Sequence, residues 1–146
     1  MIHIKRSSIY NKNKIQMKKS FLILCLIVCG FKGFSQEIKF NKDMVLIDGK
    51  ECLKIDDSDS NHVSILDLEG NEIVFLKFIH NSRYGALYNK ITFVNQKLTM
   101  TSQSYIFTKK LLIKKLISDK TLTDCKLDDA KVEKFVMKYD ENVERN

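Results

Sequence analysis

Short apolar runs separated by turn-forming residues fill the sequence from residue 36 to about residue 105. Runs of this length, bounded by Gly, Asn and Asp, are typical of antiparallel strands joined as hairpins. Asp48-Gly49 favours a two-residue hairpin loop because both positions tolerate a positive φ, and Gly70 offers a similar turn between two longer runs. The pattern predicts a β-meander in which sequence neighbours pair. Its seven candidate strands are residues 38–40, 44–47, 51–55, 62–68, 72–80, 88–95 and 98 to about 107.

The apolar period changes to that of helices after residue 107. One stripe has the i, i+3, i+4, i+7 spacing of an amphipathic helix, and Asp128 precedes it as an N-cap. Residues 108–117 predict a second helix, although Lys109 falls within its apolar arc; the alternative is that the start of this segment continues the last strand. The charged tail, residues 140–146, is expected to fray. The stripe consists of Val132, Phe135, Val136 and Tyr139.

These two patterns predict an α+β fold, an antiparallel β-meander of five to seven strands followed by one or two C-terminal helices. Residues 72–80 carry apolar side chains on both faces, which predicts a central strand that is covered on both sides. No proline-rich linker or internal repeat marks a second domain. The expected core residues are Phe75, Leu76, Phe78, Ile91, Phe93, Phe135 and Val136.

The segment before residue 36 has the order of features of a secretory signal peptide. Met17 is followed by two lysines, an unbroken apolar run of nine residues and the small-residue site Gly33-Phe34-Ser35. Nine apolar residues are too few for a membrane-spanning helix, which needs ~20, so cleavage is favoured over a permanent transmembrane anchor. The expected parts are a mis-assigned N-terminal extension (1–16), a signal peptide (17–35) and a single exported domain, periplasmic or secreted (36–146).

The net charge of the whole chain belongs to the segment that is expected to be removed. Seven of the 25 lysines and arginines lie in residues 1–35, which contain no acidic residue. Without those 7, the remainder has 18 basic and 18 acidic residues and a net charge of zero. A nucleic-acid partner is not expected, because it needs a basic surface on the folded domain.

Two of the four cysteines, Cys52 and Cys125, lie outside the predicted signal peptide. In an exported protein this pair could form a disulfide, which would stabilise the fold by roughly 4 kcal/mol in the chain-entropy model. The alternative is two buried, unpaired thiols that pack as small hydrophobes. Within the signal, Val28 is larger than the small residue that precedes a lipid-modified cysteine, so lipidation of Cys29 is not favoured.

Asp57, Asp59 and Asn61 stand at alternate positions, as at the opening of a calcium loop. The pattern stops there, because His62 stands where the loop needs glycine and Leu68 stands where it needs a bidentate Glu. We interpret this segment as a solvated loop between two strands and predict no metal site.

The sequence contains little that indicates catalysis. The two histidines and two cysteines of residues 36–146 lack the short ligand spacing of a zinc site. Cys52 would be a nucleophile only if His62 or His80 met it in space, and no glycine-rich elbow or helix N-terminus accompanies it. No serine-hydrolase, phosphate-loop or dinucleotide motif is present. We predict no catalytic residue, no metal ligand and no cofactor.

Two surface features could contact a partner. Arg83, Tyr84 and Tyr88 flank the turn of a long hairpin, and residues of these types are enriched at interfaces. Tyrosines beside a turn also commonly pack on the sheet. The second feature is a lysine cluster that would suit an anionic membrane or an acidic partner. We favour a solvated helix face whose lysine stems cover apolar surface. The cluster comprises Lys109, Lys110, Lys114 and Lys115.

The chain resembles a group of small, exported, uncharacterised proteins of Bacteroidetes. The resemblance lies in the lysine-rich signal ending in Ser35-Gln36, the hairpin at residues 47–50, the turn and strand that begin at residue 68, and the terminal segment 132–139. It implies export and a layout of strands followed by a helix, with no activity or site residues to carry over.

Export, small size and the lack of a catalytic pattern favour a non-catalytic envelope module that binds another protein or a surface. The alternative is a periplasmic carrier of a small apolar ligand or lipid, which would explain strands that are apolar on both faces. An enzyme of unknown type is the third hypothesis. A large apolar pocket would favour the carrier, and an exposed contact surface would favour the binding module.

Overall fold

The structure is a computed structural model that describes residues 35–103 and 107–145. Residues 36–146 form one compact unit. The predicted extension, and the predicted signal peptide apart from Ser35, lie outside the described residues. The strands are β1 (Ile38–Asn41), β2 (Met44–Ile47), β3 (Lys50–Asp56), β4 (His62–Leu66), β5 (Glu72–Ser82), β6 (Gly85–Phe93), β7 (Leu98–Gln103), β8 (Leu122–Thr123) and β9 (Lys126–Leu127). The helices are α1 (Lys109–Ser118), α2 (Asp129–Tyr139) and a 3-10 helix (Val143–Arg145).

The first seven strands form one antiparallel sheet in sequence order, β1 to β7. This confirms the predicted α+β class and meander. The first predicted turn has the expected backbone, since Asp48 (φ 52°) and Gly49 (φ 77°) both lie in the left-handed region that a tight hairpin needs. β4 is the middle strand, whereas the predicted central strand, β5, is its neighbour and is the longest strand of the sheet.

The core lies between one face of the sheet, here the inner face, and the two helices. Ile65, Val74 and Phe93 are successive cross-strand partners on this face and are fully buried. α1 adds Leu112 and Ile113. Burial of a side chain of this size is worth about 1.5–3 kcal/mol, so this contact is what holds the helices to the sheet.

Four of the seven expected core residues are buried, namely Leu76, Ile91, Phe93 and Phe135. Phe78 and Val136 are partly buried against the core. The prediction for Phe75 is wrong. It pairs with Ser64 and Thr92 on the opposite face of the sheet, here the outer face, and remains half-buried. Side chains on a strand point alternately to its two faces, and the helices cover only one of them.

α2 begins directly after Asp128, its predicted N-cap, and α1 begins at Lys109, one residue after the predicted segment starts. The Thr108 hydroxyl accepts a hydrogen bond from Leu111 N (3.2 Å), and the Asp128 carboxylate accepts one from Lys131 N (3.1 Å). Each cap satisfies a backbone N–H that has no partner within its helix. Among the described residues, no helix is both long and apolar enough to cross a membrane.

The expectation that the charged tail frays is wrong. Asp140 Oδ1 accepts a hydrogen bond from Thr101 N (2.9 Å), and Glu141 N donates to the Thr101 carbonyl (2.9 Å). Val143 is 4% exposed. Because β7 is an edge strand, its outward backbone groups need partners, and the tail supplies them.

Candidate functional site

β5 and β6 form one long antiparallel hairpin whose last pair is Ser82 with Gly85. β4 reaches β5 no further than Phe78, whose N–H donates to the Asn61 carbonyl (2.8 Å). Four further residues of β5 carry the hairpin about 14 Å beyond this point, at ~3.4 Å per residue. We call residues 79–87 the hairpin tip. It extends past the neighbouring strand on the β4 side of the sheet.

The hairpin tip presents an arginine stacked on a tyrosine. The Arg83 guanidinium lies 4.6 Å from the centre of the Tyr84 ring, and its Nη2 donates a hydrogen bond to the Tyr84 hydroxyl. Tyr84 N in turn donates to the Ser82 hydroxyl (3.1 Å). A cation over a ring at an exposed site is worth about 0.5–1 kcal/mol, which favours one arrangement of the two side chains.

An exposed leucine adjoins this pair. Leu87 is 51% exposed, which places it among the most exposed large apolar side chains of the described residues. The sequence pattern did not single out Leu87, because the expected strand began one residue later, at Tyr88. The hairpin tip thus combines a guanidinium, an aromatic ring and an apolar side chain.

Tyr88 does not belong to this surface. It is 2% exposed, and its hydroxyl donates to Glu144 Oε1 (2.9 Å) in the 3-10 helix. Lys90 Nζ donates to the other oxygen, Oε2 (2.8 Å). The Lys90 hydrogen bond, supported by that of Tyr88, holds the pKa of Glu144 below its usual value despite partial burial. Burial raises the pKa of Tyr88. The structure therefore gives Tyr88 an anchoring role and leaves Arg83 and Tyr84 as the candidate contacts.

The structure joins Cys52 and Cys125 by a disulfide, with their Cα atoms 5.1 Å apart. A β-bulge makes this geometry possible. The β2–β3 ladder pairs Val45 with Leu53 but skips Cys52 before its next pair. Strict alternation would point Cys52 to the outer face, whereas the extra residue lets Cys52 and Leu53 both be buried, each at 1% exposure.

The cysteine and histidines of the nucleophile hypothesis are not brought together. Cys52 is buried on the inner side and paired with Cys125. His62 lies on the outer face, with its ring 5.1 Å from that of Phe75. His80 is exposed on β5. The arrangement offers no nucleophile with an adjacent base.

The loop after β3 uses its carboxylates to form its own turns. Asp56 accepts hydrogen bonds from the backbone and hydroxyl of Ser58, and Asp59 accepts one from Asn61 N (2.6 Å). Asp57 forms an ion pair with Lys109, which explains a charged residue in the apolar arc of α1. Within residues 35–103 and 107–145, no three His, Cys, Asp or Glu side chains are grouped so that they could hold a metal ion.

The lysines of α1 do not form a single patch. Lys109 turns to Asp57, Lys110 lies over the Phe40 ring (5.4 Å), and Lys115 lies over the Tyr139 ring (5.2 Å). This divergence agrees with lysine stems that cover apolar surface.

Comparisons with protein families, curated proteins and solved structures found no match.

Proposed function

We propose that the protein is a non-catalytic binding module of the cell envelope that captures another protein through the hairpin tip. The observation that carries the proposal is the Arg83–Tyr84 stack beside exposed Leu87, at the end of a ribbon that extends past β4. Arginine and tyrosine are the residue types most enriched at binding hot spots. The predicted signal peptide supports the envelope as the location.

The stacked pair suits recognition because it is ordered before a partner arrives. Immobilising a free arginine side chain on binding costs about 0.5–1.5 kcal/mol. The contact with Tyr84 restricts the guanidinium in advance, while Leu87 offers apolar area that a partner would bury. A standard interface uses about 20–30 residues on each side. The nine residues of the hairpin tip therefore favour a partner that encloses the ribbon or binds transiently.

Site-specific photo-crosslinking in the native host tests this proposal. A benzoylphenylalanine at position 84 should give a discrete adduct with an envelope protein. The same group at Asn95, an exposed residue of the β6–β7 turn, should not. Capture of that partner by the protein carrying Arg83→Ala and Tyr84→Ala should fall at least tenfold, since two hot-spot side chains each contribute more than about 1 kcal/mol.

A matched control separates recognition from folding. Arg145→Ala removes one exposed guanidinium elsewhere and should leave capture unchanged. Both variants should melt within a few degrees of the wild type. Capture that survives the double substitution, or adducts that form equally at positions 84 and 95, would refute the hairpin tip as the binding surface.

A further inference from the structure

A groove lies on the helical layer, away from the hairpin tip in sequence, between α2 and the turn that follows α1. Its volume is about 350 Å³. Phe135 and Thr121, both buried, lie at its base. Three lysines stand along α2 at one side. The lining residues are Asp119, Thr121, Lys131, Lys134, Phe135 and Lys138.

The one carboxylate in the groove is already satisfied. Asp119 Oδ2 accepts hydrogen bonds from the Tyr139 hydroxyl (2.8 Å) and from Lys138 Nζ (3.2 Å). Partial burial opposes its charge, yet these two hydrogen bonds together with the positive charges of Lys138 and Lys115 keep the pKa of Asp119 below its usual value. In the part of the chain that the structure describes, no acidic side chain pairs with Lys131 or Lys134. The groove therefore keeps an excess of positive charge.

The positive charge of the groove is part of a wider separation of positive and negative residues along residues 36–146. Residues 109–139 contain nine lysines and five acidic residues, a surplus of four positive charges. The rest of residues 36–146 contains nine basic and thirteen acidic residues, so the helical segment alone is basic in a unit of zero net charge. Such a local field attracts an anionic partner toward the helices.

We propose that this groove binds an extended acidic segment of a protein partner. Lys131, Lys134 and Lys138 lie about 4.5 and 6 Å apart along the helix axis, at 1.5 Å per residue. Carboxylates on alternate residues of an extended peptide are about 6.6 Å apart, so two or three of them match this row. The residues between them point to the opposite side of the segment, away from the lysine row. A single extended segment fits between α2 and the turn after α1, whereas a flat membrane surface would reach only the lysine tips.

This site goes beyond the hairpin-tip function and stands without it. The first experiment measures fluorescence anisotropy of a labelled decapeptide of alternating Glu and Leu, added to the purified protein produced from the full chain. We expect saturable binding that weakens as salt rises from 50 to 500 mM, because exposed charges are screened within ~10 Å at 0.1 M salt. A decapeptide of alternating Gln and Leu should not bind.

Paired variants locate the site. Lys131→Gln with Lys134→Gln should weaken peptide binding about tenfold, the combined effect of two exposed charge pairs. Lys110→Gln with Lys114→Gln removes the same charge from the same layer outside the groove and should change affinity less than threefold. Arg83→Ala with Tyr84→Ala should leave peptide binding intact, so failure of this site and failure of the hairpin tip are distinguishable.

The remaining outcomes overturn the proposal. Equal losses in the two lysine pairs would show a diffuse charge effect rather than a groove. Competition by millimolar inorganic phosphate, or stronger binding to vesicles containing phosphatidylglycerol than to the acidic peptide, would assign the lysines to phosphate groups instead. Absence of saturable peptide binding would exclude the site.

Discussion

Glu144 is a single side chain that ties the C-terminus to the middle of the sheet. It accepts hydrogen bonds from Tyr88 and Lys90, which lie 56 and 54 residues earlier in the chain. Tyr88 is almost fully buried, so its hydroxyl would lose a partner in a protected site if Glu144 were removed. The three residues therefore act as one clamp on the outer face.

We expect Glu144→Gln to destabilise the fold by about 1 kcal/mol at pH 7, because Gln keeps an acceptor for Tyr88 but loses the charge opposite Lys90. The pKa of Glu144 in the folded protein lies below its ordinary value of 4.5, so its contribution is present above pH 4.5 and disappears as pH falls through the folded pKa. Thermal melts from pH 7 to pH 3 should show a gap of ~4 °C that closes in acid. Glu37→Gln, at an exposed residue, is the control. A gap that does not narrow between pH 7 and pH 3 would contradict this account.

The sequence predicts hydrogen-bond partners that lie close together along the chain, but it does not predict the contacts of Glu144. The N-cap Asp128 accepts a hydrogen bond from the amide of Lys131, three residues away, and the local pattern suffices to predict such a contact. Tyr88 meets Glu144 only after the chain has turned back along β7. The prediction that grouped Tyr88 with Arg83 used nearness in sequence. Two features of the fold separate the two side chains: the alternation of faces along β6 and the course of the C-terminal tail.

The bulge in β3 determines which face of the sheet the Cys52 side chain points to. It places the thiol on the inner side, opposite the β8–β9 hairpin that carries Cys125. The pair closes a loop of 73 residues, from the third strand of the sheet to the turn between the helices. A cross-link of that span restricts the unfolded chain strongly, in the chain-entropy account.

We expect Cys52→Ala with Cys125→Ala to lower the free energy of unfolding by about 4 kcal/mol, or roughly 15 °C in melting temperature. The intact mass of the wild type should be about 2 Da below that of the reduced chain, because two thiol hydrogens are lost. Addition of a reductant should bring the wild type to the stability of the double variant. A wild type that neither loses mass nor responds to reductant has free thiols.

The turn-forming residues predict most of the strands of the sheet. The β-bulges account for much of the strand pairing that these residues do not predict. Asp48-Gly49 fixes its hairpin locally, so β2 occupies the predicted residues. The register shifts in β3 and β5 follow from the packing of the inner face, which alternation along one strand does not reveal. Ile73 is buried beside Val74 for that reason. Arg83 and Tyr84 can be identified from their residue types beside a turn. Leu87 cannot, and the lysine groove depends on the approach of α2 to the turn after α1.

Net charge would distinguish the complete chain from a form cleaved after residue 35. All of the formal +7 resides in residues 1–35, and residues 36–146 are balanced at 18 positive and 18 negative groups. The lysine-rich helical layer is therefore offset by an acidic remainder. A processed domain would present a local basic field without a basic net charge, which favours selective docking over general attraction to anions.

We expect the protein isolated from its own host to focus near pH 7, because equal numbers of strong acids and bases leave histidines and the α-amino group to set the balance point. The complete chain has a pI of about 9.2, so isoelectric focusing separates the two forms clearly. The complete chain, produced without export, provides the reference band. If the host form focuses near pH 9, the signal prediction fails. Seven further positive charges would then remain on the working protein, and binding in the lysine groove would have to be reinterpreted as part of a larger cationic surface.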